Sequence, residues 1–202
     1  MHSTVQLLTQ TDFPRLKRLK LDTLQVNLGY LCNQSCTHCH VNAGPNRTEL
    51  MQDQEIDHLI QLLEQGWVQQ LDLTGGAPEM NPRFKRLVKA ARAQGVKVID
   101  RCNLTILSEP GYEDLAQFLA DHEVEVCASL PCYLEDNVDK QRGKGVFDAS
   151  IAGLQKLNAL GYGDKLPLNL VYNPQGPVLP PPQAQLETDY KKVLFEKFGI
   201  RF

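Results

Sequence analysis

Residues 24–39 read Leu24-Gln-Val-Asn-Leu28-Gly-Tyr-Leu-Cys32-Asn-Gln-Ser-Cys36-Thr-His-Cys39, and residues 71–79 read Leu71-Asp-Leu-Thr74-Gly75-Gly76-Ala77-Pro78-Glu79. In each, a short apolar run gives way at once to a loop of cysteines or glycines. That is the pattern of a buried parallel strand handing the chain to a loop at its C-terminal end. Similar runs occupy 96–99, 124–129 and 168–172. The segments between them carry helical spacing: 49–65 (Leu50, Ile56, Leu59, Ile60, Leu62, Leu63), 84–93 (Phe84, Leu87, Val88, Ala91), 112–120, 151–160 and 186–198. Gly66, Gly95, Gly161 and Gly199 punctuate the ends of four of these helices. Strand and helix in alternation predict an α/β fold of parallel strands joined by right-handed crossovers. An open doubly wound sheet and a partial or full barrel both satisfy this pattern.

Composition narrows the function classes. The 202 residues are 42% hydrophobic and 22% charged, as in an ordinary globular protein, so collagen-like, coiled-coil and disordered readings fall away. A net charge of −3 supplies no global field for nucleic acid or an anionic membrane. One basic run, Arg15-Leu-Lys-Arg-Leu-Lys20, reads as a solvated approach to the first strand. The N-terminus lacks the apolar core of a signal peptide, and no segment is long enough to span a bilayer, which predicts a cytoplasmic protein. In that setting six cysteines suit metal ligation or reactivity better than disulfides. Five prolines within 173–182 (Pro174, Pro177, Pro180, Pro181, Pro182) predict a stiff, extended connector, either a linker between domains or a loop over the top of one. At the C-terminus, Ile200-Arg201-Phe202 reads as the first residues of a sixth strand, so that the native protein is expected to continue.

Cys32, Cys36 and Cys39 are the most informative residues. Their spacing lets one loop wrap three thiolates around a compact centre, a donor set that favours zinc or an iron–sulfur cluster. A zinc site completed by His38 or His40 remains open on this spacing alone. CxxxCxxC is similar to the motif of radical S-adenosylmethionine (radical SAM) enzymes, where three cysteines hold a 4Fe–4S cluster and leave one iron for the cofactor. Gly75-Gly76-Ala77-Pro78 resembles the GGEP motif of the same enzymes, with alanine at its third position. Paired glycines at a strand end allow close approach of backbone to a ligand, and an ordinary βα turn would use them too. On this resemblance Gly75, Gly76, Ala77 and Pro78 bind the methionine end of S-adenosylmethionine, and Asn103, Ser129 and Arg142 are further cofactor contacts.

Six stretches carry a finer resemblance: 27–51 (NLGYLCNQSCTHCHVNAGPNRTELM), 71–82 (LDLTGGAPEMNP), 100–107 (DRCNLTIL), 128–133 (ASLPCY), 137–147 (NVDKQRGKGVF) and 170–187 (LVYNPQGPVLPPPQAQLE). In this order they resemble the arsenosugar-biosynthesis radical SAM proteins over roughly residues 20–202. The resemblance implies a partial (β/α)6 barrel in which residues 1–202 form the radical SAM core, without the family's C-terminal extension. It implies a 4Fe–4S cluster, S-adenosylmethionine, and addition of the 5′-deoxyadenosyl group to a trivalent methylated arsenical. Iron–sulfur potentials span about −700 to +450 mV, and a cluster for this task sits near the low end, so a flavodoxin- or ferredoxin-type electron donor is implied as partner. A radical SAM enzyme acting on a peptide, and a zinc- or metalloid-binding module, are the alternatives. Because trivalent arsenic is soft, Cys102 and Cys132, placed by sequence at strand ends, are candidate arsenical ligands. Cys127, earlier in its strand, reads as a small buried hydrophobe.

Overall fold

The computed structural model describes residues 5–9, 11–14, 17, 20–176 and 179–202; Arg15, Leu16, Arg18 and Leu19 of the basic run, and Pro177, lie outside the described residues. A one-turn helix α1 (Val5–Leu8) precedes a regular alternation of elements. It runs β1 (Thr23–Asn27), α2 (Asp53–Glu64), β2 (Gln70–Thr74), α3 (Phe84–Ala93), β3 (Lys97–Asp100), α4 (Leu115–Asp121), β4 (Glu125–Ser129), α5 (Glu135–Arg142), α6 (Val146–Ala159), β5 (Leu168–Val171) and α7 (Gln183–Phe198). Two 3-10 turns, Pro78–Met80 and Thr105–Ser108, follow β2 and β3.

The sheet resolves the choice left open by periodicity. Its five strands are all parallel and stand in sequence order, β1-β2-β3-β4-β5. A doubly wound sheet reverses its order at a switch point; an unreversed order of right-handed crossovers puts every helix on one face and curls the sheet toward a barrel. The observed architecture is therefore a partial barrel.

Strand alternation divides the residues by face. Val26, Leu28, Leu71, Leu73, Val98, Val126, Ala128 and Leu168 join the helices in one continuous core with Ile56, Leu63, Phe84, Leu87, Leu115, Leu119 and Leu154. Each such side chain contributes about 1.5–3 kcal/mol by leaving water. The inner face is polar. There Asp72 accepts two hydrogen bonds from Arg101, both at 2.8 Å, and one from Gln25 at 2.8 Å.

Two details depart from the sequence expectation, and one decides an alternative that it left open. Helix α5 has only Val138 and two long polar side chains buried, so no apolar stripe announces it; acids in its first turn (Glu135, Asp136) and bases in its last (Lys140, Arg142) stabilise it instead. The polar start of the proline-rich connector folds back over the strand ends, with Asn173 donating to Pro131 O at 3.2 Å and Gln175 to Asn137 O at 2.8 Å. It behaves there as a loop over the domain. Residues 200–202 form no strand ladder; the Asn158 side chain brackets Arg201, accepting from its N–H at 2.9 Å and donating to its carbonyl at 2.8 Å.

Asn81 locks the strand-end face to the helices. Its side chain, 1% exposed, donates to Leu28 O at 2.9 Å and Met51 O at 3.0 Å and accepts from Arg83 N at 2.9 Å. Asn81→Ala takes their side-chain partner from Met51 O and Arg83 N–H and leaves Leu28 O with Met51 N–H alone, an expected loss of about 1–2 kcal/mol, or about 2–8 °C in Tm by thermal denaturation. An unchanged Tm would show that Asn81 is not a structural link.

Candidate active site

The loop between β1 and α2 carries the three cysteines, and its neighbours hold it on every side. Isolated bridges join Gly29 to Leu50 and Leu31 to Gly44, closing the loop on itself. Asn33 donates to Thr105 Oγ1 at 2.9 Å and to Glu109 Oε1 at 2.8 Å, fastening it to the segment after β3. The N–H of Thr37 donates to Gln141 O at 3.0 Å, fastening it to α5. Cys32, Ala43 and Ala77 form a small apolar cluster of their own, with Cys39, Val41 and Met80 packed on it.

The glycine pair is the other half of this arrangement. Gly75 sits at φ +140°, where side-chain-bearing residues are strained, and a Cβ there would lie 2.5 Å from Gly29 O. Gly76 has no such backbone requirement; a Cβ on it would stand 2.4 Å from Leu31 O, in the cysteine loop itself. Gly76 N–H donates to Gly29 O and Ala77 N–H to Leu31 O, both at 2.9 Å. The two loops are thus zipped backbone to backbone. Ala77, expected with Pro78 as a cofactor contact, takes part in this zipper and is 2% exposed, while Pro78 opens the 3-10 turn; neither lines the cavity.

That cavity, about 270 Å³, lies at the C-terminal ends of the strands. Its walls include Cys32, Cys36 and Cys39, Gly75 and Gly76, the strand-end residues Asn103 and Ser129, and Arg142. Arg142 reaches in from the end of α5 and is 6% exposed. It donates to Gln34 Oε1 at 2.7 Å, to Asn103 O at 3.1 Å and to Ser129 O, tying the cysteine loop to the ends of β3 and β4. Its Nε is buried without a partner. Asn103 donates to Asn33 Oδ1 at 2.8 Å and toward Cys32 Sγ at 3.6 Å.

The other candidate cysteines fall differently. Asp100 and Cys102 point to the helical side, because Arg101 and Asn103, one position on from each, face the cavity. Cys102 is fully buried in the main core, so the expectation that it meets a substrate is corrected. Cys132 also lies in that core, off the cavity, with Asn137 donating to its sulfur at 3.4 Å. Cys127 is the free thiol on the cavity wall outside the cysteine loop, beside Arg101. A signal for it exists in the sequence: it lies two residues before Ser129 on the same strand, and period-two alternation gives both the same face.

The donor set fits an iron–sulfur cluster. Gln34 N–H donates to Cys32 Sγ at 3.4 Å and Ala43 N–H to Cys39 Sγ at 3.2 Å, the backbone hydrogen bonds that support thiolates and tune cluster potential. Burial pushes the Cys32 thiol up, so its proton must leave as iron binds. The three sulfurs are not gathered within 4.8 Å of one another, unlike the donor atoms of Glu79, Asp100 and Cys102. A single tetrahedral zinc would need them about 3.8 Å apart at its usual bond length. Separate corners of a cluster need no such convergence.

Gly76→Ala is expected to force the two loops apart, costing about 1–3 kcal/mol as overpacking does and lowering the iron retained after anaerobic reconstitution. Full iron retention would show that the backbone contact does not shape the site. The combined Cys32→Ala, Cys36→Ala and Cys39→Ala variant should lose the visible iron–thiolate absorbance yet keep its far-ultraviolet circular dichroism; retention of stoichiometric iron and sulfide would overturn the assignment.

Comparison with known proteins agrees with this geometry. The Radical SAM superfamily model matches residues 26–174. The chain is 31% identical over 137 residues to the mycofactocin maturase MftC of Mycolicibacterium smegmatis, 68% of this chain and 34% of that protein. It is 32% identical over 73 residues to the GTP 3′,8-cyclase of Chlorobaculum tepidum, 36% of this chain and 22% of that one. The chain thus spans about a third or less of the length of these curated relatives. In structure it resembles Streptococcus suis SuiB bound to S-adenosylmethionine, with a TM-score of 0.66 and 16% identity over 88% of this chain and 38% of that one. It also resembles anSMEcpe with bound AdoMet and the Kp18Cys peptide, TM-score 0.60 and 16% identity, over 74% of this chain and 42% of that one. Those likenesses speak to the fold, and none of the four concerns an arsenical. The family match spans the cysteine loop, the glycine pair and the strands that bring them together, and the chain belongs to the radical SAM superfamily, whose members use a 4Fe–4S cluster and S-adenosylmethionine.

Proposed function

We propose that this chain is the catalytic core of a radical SAM enzyme that transfers the 5′-deoxyadenosyl group of S-adenosylmethionine to a trivalent methylated arsenical. The single observation behind the catalytic part is one cavity holding Cys32, Cys36, Cys39, Gly75, Gly76, Asn103, Ser129 and Arg142. When bound, the cluster and S-adenosylmethionine would supply the adenosyl group as a carbon radical, with methionine as the leaving group and one electron lent by a flavodoxin- or ferredoxin-type donor and returned as arsenic passes from the trivalent to the pentavalent state.

The chain's own residues position and protect. Cys32, Cys36 and Cys39 would hold the cluster, and the bare backbone of Gly75 and Gly76 leaves room for the amino acid end of the cofactor. Arg142 keeps three segments in register beside the cavity, with its Nε buried and unpartnered. Arg101, fixed by Asp72, adds a second guanidinium to the same wall, so the cavity favours an anionic group such as a carboxylate. Six unpaired cysteines accord with a reducing, cytoplasmic setting.

Support for the arsenical comes from the six resemblant stretches and from Cys127. A free thiol facing the reaction space is the soft donor that trivalent arsenic prefers, and it replaces Cys102 and Cys132 in that role. A second reading, a peptide substrate, draws on the mycofactocin maturase relatives. The deciding assay incubates the anaerobically reconstituted protein with S-adenosylmethionine, reductant and dimethylarsinous acid. An adenosylated arsenical by mass spectrometry is the expected product, reduced at least tenfold in Cys127→Ser while 5′-deoxyadenosine still forms. If only 5′-deoxyadenosine appears with the unmutated chain, the arsenical reading fails and the radical SAM assignment stands.

A further inference from the structure

Behind the cavity, on the helical side of the sheet, lies a second set of donors. Glu79 comes from the 3-10 turn after the glycine pair, Asp100 ends β3, and Cys102 follows two residues later. Their exposures are 5%, 0% and 0%, and one donor atom of each lies within 4.8 Å of the others. All four carboxylate oxygens are buried without a hydrogen-bond partner. Cys102 Sγ instead accepts a hydrogen bond from Leu104 N–H at 3.3 Å, so its sulfur is presented as an acceptor.

Such a group cannot stand as three bare anions in a dry interior. Protons on Asp100 and Cys102, donated toward Glu79, would answer part of this set and leave the Glu79 carboxylate a buried anion without a counter-charge. A divalent cation answers all three side chains at once, and one bidentate carboxylate would complete a four-coordinate shell. One thiolate with two carboxylates, fully enclosed, is the donor set of a borderline-soft ion such as zinc. We infer that Glu79, Asp100 and Cys102 form a second, structural site for a zinc-class divalent cation, separate from the cluster and pinning the glycine loop to the end of β3. Burial pushes Glu79, Asp100 and Cys102 up, and a cation needs all three deprotonated, so its binding would strengthen as pH rises. The inference rests on these three side chains and is independent of the substrate.

The test removes the cluster thiols first. The Cys32→Ala, Cys36→Ala, Cys39→Ala chain is dialysed against a chelator and titrated anaerobically with Co2+. The expected result is one Co2+ per chain with a thiolate-to-cobalt charge-transfer band, displaced by Zn2+, with Tm raised by Zn2+. Adding Cys102→Ala should abolish the band, and Asp100→Asn should weaken binding roughly tenfold or more. A folded triple variant that binds no stoichiometric Co2+, or a band that survives Cys102→Ala, overturns the site. If the triple variant does not fold, crystals of the unmutated chain grown with Zn2+ decide the matter by anomalous scattering at the zinc edge. A peak among Glu79, Asp100 and Cys102 is expected, and its absence refutes the inference.

Discussion

One close approach of two backbones governs the open end of this sheet. The loop after β1 and the loop after β2 touch main chain to main chain, with the place of a Gly76 Cβ only 2.4 Å from Leu31 O. Side chains there would hold the loops apart and shift the cysteines from their place over the strand ends. The parallel pairing of Asn27 with Thr74 delivers both loops at the same height. Sheet register, glycine and thiolate position are therefore one constraint rather than three.

Around that contact the molecule spends its polar groups unevenly. The helical face of the sheet is apolar and dry apart from Glu79, Asp100 and Cys102, whereas the inner face carries a fixed ion pair and a lining of amides and guanidinium groups. Arg142 matters most among these. A buried guanidinium, held through its two terminal nitrogens by two carbonyls and an amide oxygen, positions three segments without a carboxylate partner.

Much of this was legible in the sequence, for physical reasons. Buried strands of four or five residues flanked by glycine, and helices with an apolar stripe such as Phe84, Leu87, Val88 and Ala91, announce themselves because burial imposes the period. The cysteine loop and Gly75-Gly76 were legible because few chemistries want those residue types at strand ends. Strand order was not, since the same alternation serves two topologies. Helix α5 escaped because its stabilisation is electrostatic. Cys102 and Cys127 were exchanged because proximity to a strand end was weighed above alternation, and a side chain's face is set by parity, not by distance along the strand. Nor could one-dimensional reading see that Ala77 braces a loop and Pro78 opens a turn instead of lining a cavity.

The central claim is that the cysteine loop and the glycine pair together form one site, for a cluster with an iron open to S-adenosylmethionine. Electron paramagnetic resonance of the reconstituted, reduced chain tests it most directly. The expected result is a reduced 4Fe–4S signal whose shape changes when S-adenosylmethionine is added and remains unchanged with methionine-free adenosine. A cluster signal indifferent to S-adenosylmethionine, or no cluster signal in a chain that has taken up iron and sulfide, would contradict it.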